Sequence, residues 1–222
     1  TGQRKDYTDK AAEVTADIIA DQKKDGDILI FMPGEAEIMR TINKLKSVCG
    51  EDVEILPLFG SMSPQDQDLI FAKNGKRKVI VSTNIAETSV TIDTVRHVID
   101  TGYIKQKSYD PLTGIDTLAL QSASKANMEQ RKGRAGRVSS GWCYRLISNE
   151  DYERREAFAK PEILRSNLDE VVLKMKDMEI GNIEEFEFID QPGRVAIEDA
   201  IGQLKKLGAL DESENITDIG RE

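Results

Sequence analysis

Two cysteines, Cys49 and Cys143, are too few for a disulfide scaffold and lack the paired spacing of a metal site. A reducing, intracellular compartment is expected. His97 is the single histidine, it lies in an apolar strand pattern, and no nucleophile elbow accompanies it. A hydrolase triad is therefore disfavoured and His97 reads as structural. No apolar run approaches the roughly 18 to 20 residues of a membrane span, so a membrane helix is not expected. The start, Thr1-Gly2-Gln3-Arg4-Lys5, has no apolar segment behind its basic residues, so a signal peptide is not expected either. A phosphate-cradling G-x-x-x-x-G-K-[ST] loop is missing, because Gly75-Lys76-Arg77 lacks the upstream glycine and the hydroxyl. Asp169-Glu170 and Asp211-Glu212 do not follow long buried strands, which argues against a Mg²⁺-holding acidic motif.

The 222 residues are 39% hydrophobic and 32% charged, a balance that permits a real core in one large domain or a medium domain plus a small one. The net charge of -9 speaks against a generic nucleic-acid binder. That charge is segregated. Lys125, Arg131, Lys132, Arg134, Arg137 and Arg145 share their stretch with one acid, Glu129. Between Gly181 and Asp199, by contrast, six acids face only Arg194. The basic stretch is where chemistry is to be sought.

Thr8 to Lys24 has the apolar spacing of a helix, and Ile28 to Met32 is a continuous apolar run suited to a strand buried on both faces. The alternation continues with a helix carrying Ile38, Ile42 and Leu45, a strand at Val53 to Leu58, a helix at Pro64 to Ala72, and strands at Lys78 to Ser82 and Val95 to Asp100. Such alternation predicts a parallel sheet with helices on both faces. Tyr103 to Tyr109 and Ile115 to Gln121 flank Asp110-Pro111-Leu112-Thr113-Gly114 and predict a β-hairpin. Ser124 caps a basic helix, and Gly141 to Ile147 is a last strand with Trp142 and Cys143 expected in the core. Beyond Pro161, helices at Asn167 to Met178 and Val195 to Leu207 precede two short strands at Ala209-Leu210 and Ile216 to Ile219, the pattern of a winged helix.

In Gln130-Arg131-Lys132-Gly133-Arg134-Ala135-Gly136-Arg137, a continuous helix would put Gln130, Arg134 and Arg137 on one face. Planar guanidinium forks match phosphate oxygens, and Gly133 and Gly136 leave room for close approach of a ligand or neighbour. An ordinary solvated basic helix is the alternative. Ser82 to Asp93 follows a buried strand, where α/β sheets bind ligands, and its hydroxyl and amide side chains suit phosphate or sugar. A capped Ser/Thr loop explains it equally well. Phe71 reads as packing first and base stacking second, while Lys105 and Lys107 could face a nucleic-acid backbone or solvent.

Together these segments resemble the second RecA-like domain of DEAH-box RNA helicases, continuing into its winged helix, over essentially the whole chain. Ile30 to Gly34 with Glu37-Ile38 resembles motif IV, Ser82 to Asp93 motif V and Gln130 to Arg137 motif VI. Ile163 to Leu168 and Ile216 to Gly220 resemble the entrance and wing of the winged helix. Thr94, where many relatives have glycine, and His97, where an aromatic is common, depart from the pattern. Motifs I, Ia, II and III, the ratchet domain and the oligonucleotide-binding domain are missing, so a fragment is expected.

The resemblance implies an α/β fold, with a RecA-like parallel sheet, flanking helices and a protruding β-hairpin at 1–160, and a small winged-helix module at 161–222. It implies Arg134 and Arg137 as arginine fingers, with Gln130 beside them, acting on ATP with Mg²⁺ held by the missing first RecA-like domain. Phe71 would stack on adenine, Asp93 would contact ribose, and Ser89 would respond to the nucleotide. Thr83, Asn84, Gly34, Lys105 and Lys107 would contact single-stranded RNA, near the hairpin that helps to separate or retain strands. The implied partners are the first RecA-like domain and downstream C-terminal domains of the same protein, with no membrane. The implied setting is RNA processing such as mRNA splicing, in the nucleus or alternatively the cytoplasm; splicing, ribosome-assembly and quadruplex-directed branches all stay open. Alone, the chain is expected to hydrolyse no ATP. The competing reading is a non-catalytic RNA-binding or scaffold module whose acidic segment docks a protein activator, with an unrelated α/β phosphate-binding enzyme a distant third.

Overall fold

The computed structural model describes residues 6–21, 23–88, 90–110, 115–138 and 140–221, the side chains of 110, 115 and 116 excepted. In chain order the main elements are α1 (Tyr7–Ala20), β1 (Asp27–Phe31), α2 (Glu35–Val48), β2 (Val53–Leu58), α3 (Pro64–Asp68), β3 (Arg77–Ser82), α4 (Ile85–Thr88), β4 (Val95–Asp100), β5 (Tyr103–Asp110), β6 (Ile115–Ser122), α5 (Lys125–Gly133), β7 (Trp142–Arg145), α6 (Asn149–Glu153), α7 (Asp169–Asp177), α8 (Arg194–Lys206) and α9 (Asp218–Arg221). Short 3₁₀ turns follow α3 at Leu69–Phe71 and α5 at Arg134–Gly136.

The apolar runs pair in parallel in the order β2-β3-β1-β4-β7, and β5 and β6 form a separate two-stranded sheet. Every residue of central β1 is buried, as a strand covered on both faces requires. Alternate side chains divide between two cores. Ile28, Ile30, Val79, Val81 and Ile99 pack against Ala11 and Ile18 of α1 and Ile38, Ile42 and Leu45 of α2. On the opposite face Leu29, Phe31, Ile80 and Val98 meet Ile70, Ala86 and Ala135. Single turns and short helices thus cover this second face, where the sequence predicts a full helix over Pro64 to Ala72. The chain there leaves α geometry after Asp68.

Register sets the platform. Leu58, Ser82, Phe31, Asp100 and Arg145 lie opposite one another across the five strands. The carboxyl ends are therefore level, and the segments that leave them begin at one height.

Further differences from expectation have local causes. Trp142 is about half exposed, because β7 is an edge strand, and its ring stacks on buried His97 with centroids 5.1 Å apart. His97 is structural: its Nε2 donates to the Asp25 carbonyl at 2.8 Å. The hairpin turn at 111–114 lies outside the described residues.

Two units divide the chain, one of residues 1–105 and 120–159 and one of 106–119 and 160–222. The second is built on Leu168, Val172 and Met175 of α7 and Ile197, Ala200 and Leu204 of α8. The outer hairpin belongs to it. Tyr109 N–H donates to the Arg165 carbonyl at 2.8 Å, Arg165 Nη1 donates to the Lys107 carbonyl at 2.7 Å, and Gln203 Nε2 donates to Tyr109 Oη. Of the two short strands expected near its end, a single antiparallel bridge joins Leu210 and Ile216, and residues from Asp218 are helical. The Thr217 hydroxyl, which bonds the Gly208 carbonyl at 2.6 Å and accepts from Gly220 N–H, turns the chain into that helix. Among the described residues no helix is long and apolar enough to cross a membrane.

Candidate functional site

The segment leaving β1 brings Gly34, Glu37 and Lys105 together. Gly34 is buried in extended backbone ahead of α2, and a Cβ there would lie 2.8 Å from Lys105 Nζ. Glycine admits that close approach. Lys105 Nζ donates to Glu37 Oε2 at 2.9 Å, and Arg40 Nη2 donates to Glu37 Oε1 at 3.0 Å. Burial pushes the Glu37 carboxyl up, but the Lys105 hydrogen bond, a helix N–H and the two cationic neighbours outweigh it and hold the group below its ordinary value. Lys105 is thus a paired cation. Lys107 is exposed and belongs to the second unit.

Beyond β3, Thr83 N–H donates to the Leu58 carbonyl at 3.1 Å and the Asn84 carbonyl accepts from Glu87 N–H at 2.9 Å, which starts α4. Thr83 is half-buried and Asn84 exposed, so the Asn84 amide is presented at the level carboxyl edge. Ser89 lies outside the described residues.

Ser124 caps α5 by accepting from Asn127 N–H at 3.2 Å. The helix ends at Gly133, so the continuous face of Gln130, Arg134 and Arg137 does not form. Burial separates Arg134, turned in against motif V, from Gln130 and Arg137, which are exposed. Gln130 is exposed. Arg134 is 7% exposed and gives Nη1 to the Val90 carbonyl at 2.9 Å and Nη2 to the Glu87 carbonyl. Arg137 is exposed and donates to Thr91 Oγ1. Burial, then the neighbouring Arg137 charge, push the Arg134 guanidinium down from its ordinary value. Two like charges held this close are relieved by an anion. Among the described residues nothing lies within 4 Å of a Cβ built on Gly133 or Gly136, and both line a cleft of about 620 Å³ with Lys132, Cys143 and Arg145. Burial raises the Cys143 thiol to about 11, so it offers no nucleophile there.

Arg131 is a residue the helical-face argument passes over. Its side chain is 1% exposed, donating Nε to Glu87 Oε2 at 2.9 Å and Nη1 to Asp100 Oδ1 at 2.8 Å, with the guanidinium 5.0 Å from the centre of the Phe31 ring. Asn127 Nδ2 fills the other Glu87 oxygen at 2.6 Å. A signal existed: Asp100 closes a buried apolar strand, and a carboxylate there requires a cationic partner. Arg131 also shares a helix face with fully buried Met128.

Phe71 ends the turn after α3, half exposed, beside buried Ile70. Asp93 is exposed, two residues past the Thr91 hydroxyl that Arg137 engages. The residues expected at a nucleotide therefore sit on segments anchored to the second sheet face by Ile70, Ile92 and Ala135. Those expected at RNA, apart from Lys107, leave the carboxyl edge. Glu87 bonds to both sides, its carbonyl accepting from Arg134 and its N–H donating to the Asn84 carbonyl, while its carboxylate holds Arg131. Among the described residues no group of three or more His, Cys, Asp or Glu could hold a metal ion.

A five-stranded parallel sheet with this arginine-bearing helix end defines a RecA-like helicase domain. The family model described as "Helicase conserved C-terminal domain" matches residues 10–139, and that of the winged-helix "Helicase associated domain (HA2)" matches 200–222. The chain belongs to the helicase C-terminal domain family, in its DEAH-box branch. It is 45% identical over 88% of its length to the mouse protein named probable ATP-dependent RNA helicase DHX34, covering 17% of that protein. To ATP-dependent RNA helicase HrpA of Borreliella burgdorferi it is 43% identical over 96% of its length, covering 26% of the relative. The crystal structure of Escherichia coli DEAH/RHA helicase HrpB matches 99% of the chain with a TM-score of 0.90 at 36% identity, over 28% of that structure. The chain thus spans between a sixth and a third of these proteins.

Proposed function

We propose that the chain is the second RecA-like half of an ATP-dependent RNA helicase motor, with its winged helix beginning near residue 161. ATP with Mg²⁺ would be held chiefly by a first RecA-like domain of the same protein. From this side Arg137 and Arg134 stabilise charge on the transferring phosphoryl group, Phe71 meets the base and Asp93 the ribose, with Gln130 and Ser89 assigned beside them by family likeness. Thr83, Asn84, Gly34, Lys105 and Lys107 contact the backbone of single-stranded RNA without reading bases.

The observation that carries this reading is the pair of guanidiniums docked on motif V, Arg134 on Glu87 and Val90 and Arg137 on Thr91. Burial first, and then the adjacent Arg137 charge, push the Arg134 guanidinium down, and two guanidinium forks held this near each other fit a polyphosphate. Mg²⁺ is assigned to the partner domain by family likeness. Bound ATP supplies the electrophilic phosphorus, while this chain's arginines orient and neutralise oxygens on it and carry no proton. Glu87 links Arg134 to the Thr83-Asn84 turn, its carbonyl accepting from the guanidinium and its N–H donating to the Asn84 carbonyl, a physical route by which nucleotide state would reach RNA.

The test compares this chain alone with the chain joined to a first RecA-like domain in RNA-stimulated ATP hydrolysis. Turnover is expected only from the joined protein, and Arg134-dependent turnover by the chain alone contradicts the half-site.

A further inference from the structure

The geometry points to Lys78 as a positioning residue that holds the Phe71 ring ready for the base of a nucleotide. The inference rests on the proposal that Phe71 meets that base, and deepens it by naming what aims the ring.

Lys78 is the second residue of β3, directly ahead of the apolar run Val79-Ile80-Val81, and is 5% exposed. Strand alternation puts it on the face of Ile80, the face that also receives Ile70. Its stem therefore runs beneath the turn at Leu69–Phe71, and its ammonium meets main chain there. Nζ donates to the Leu69 carbonyl at 3.3 Å, to the Ile70 carbonyl at 2.7 Å and to the Ala72 carbonyl. An ammonium has three protons, and all three are committed to one turn. The backbone of Lys78 is itself fixed, its N–H donating to Asp27 Oδ1 at 2.8 Å.

The consequence concerns Phe71. A 3₁₀ turn of three residues is too short to be stable alone, and the last carbonyls of any helix lack partners within it. Here one buried cation gathers those carbonyls inward and Ile70 anchors the turn to the core, leaving Phe71 half exposed on its outer side. An aromatic ring on a loose loop would lose conformational freedom on each binding event; one on a pinned turn has lost it already. Sequence alone hides this, since Lys78 reads as the polar entry of a strand.

The test uses the chain joined to a first RecA-like domain, with RNA-stimulated turnover measured on ATP and on ribose triphosphate, which lacks the base. Phe71→Ala is expected to raise KM for ATP about tenfold, the worth of a modest base stack. Lys78→Met, which keeps an unbranched apolar stem, is expected to raise KM for ATP about threefold to tenfold with kcat unchanged and KM for ribose triphosphate unchanged. Turnover of ribose triphosphate also reports that the variant is folded. The double variant is expected to match Phe71→Ala alone. If Phe71→Ala alters KM for ATP while Lys78→Met does not, or if Lys78→Met impairs both substrates equally, positioning by Lys78 is refuted and the base contact stands. An unchanged KM for ATP in Phe71→Ala overturns the base contact itself and the positioning role with it.

Discussion

Arg131 Nε donates to Glu87 Oε2 at 2.9 Å with both side chains almost wholly removed from water, and the same guanidinium reaches Asp100 Oδ1 at 2.8 Å. One cation thus joins motif VI, motif V and the end of a central strand. Asn127 Nδ2 and Gly102 N–H also donate to these carboxylates, but Arg131 is the cation that pairs with both.

Removing it leaves two buried carboxylates without their charge partner. Arg131→Met is expected to lower the unfolding free energy by about 3 to 5 kcal/mol, read by urea denaturation. Adding Glu87→Gln should restore part of the loss, since one of the stranded charges is then gone. Equal stability of Arg131→Met and the parent would show that the cluster contributes nothing.

Acid should weaken the fold in two windows. His97 is fully buried, and burial first, with nearby Arg77 and Lys24, pushes it below its ordinary 6.5. The unfolded chain therefore binds a proton first, and stability falls as pH drops below about 6.5 until the folded imidazole titrates as well. His97→Gln keeps a donor for the Asp25 carbonyl and should flatten that window. Glu37, held below its ordinary 4.5, contributes stability above that value that is lost as pH falls through the folded-state value. Glu37→Gln should flatten only this lower window, as thermal melts across pH would register.

Lys105 enters any RNA contact already paired with Glu37 at 2.9 Å. Its replacement by alanine should therefore change the log–log salt slope of single-stranded RNA binding by less than about one unit. Glu37→Gln should steepen the slope by freeing the ammonium. The reverse order of effects, measured by titration at several salt concentrations, would contradict the pairing.

How far this was legible in the sequence depends on what each residue leans on. β1 stands where the apolar run Ile28–Met32 places it, because a strand buried on both faces of a parallel sheet is written as continuous hydrophobicity, and β2 and β4 have the bounds Val53–Leu58 and Val95–Asp100 expected of them. Ser124 as a cap was equally local. The 3₁₀ turns were not, since at Arg134 the helix tightens where the guanidinium reaches carbonyls 44 and 47 residues away in the chain. Nor was α4, one turn long and below the reach of any periodicity. Among the basic residues of motif VI composition made no distinction. Long-range partners put Arg131 inside the core and Arg134 against motif V, while Lys132 and Arg137 are exposed.

The claim that matters most is that these arginines act on a nucleotide, and Arg137 offers the cleanest trial, because it is exposed and its hydrogen bond is to the Thr91 hydroxyl. In the chain joined to a first RecA-like domain, Arg137→Lys should leave ATP binding and the melting temperature as they were while RNA-stimulated hydrolysis falls by about a thousandfold. Hydrolysis at the unsubstituted rate, with the substitution verified and the fold intact, would contradict the account.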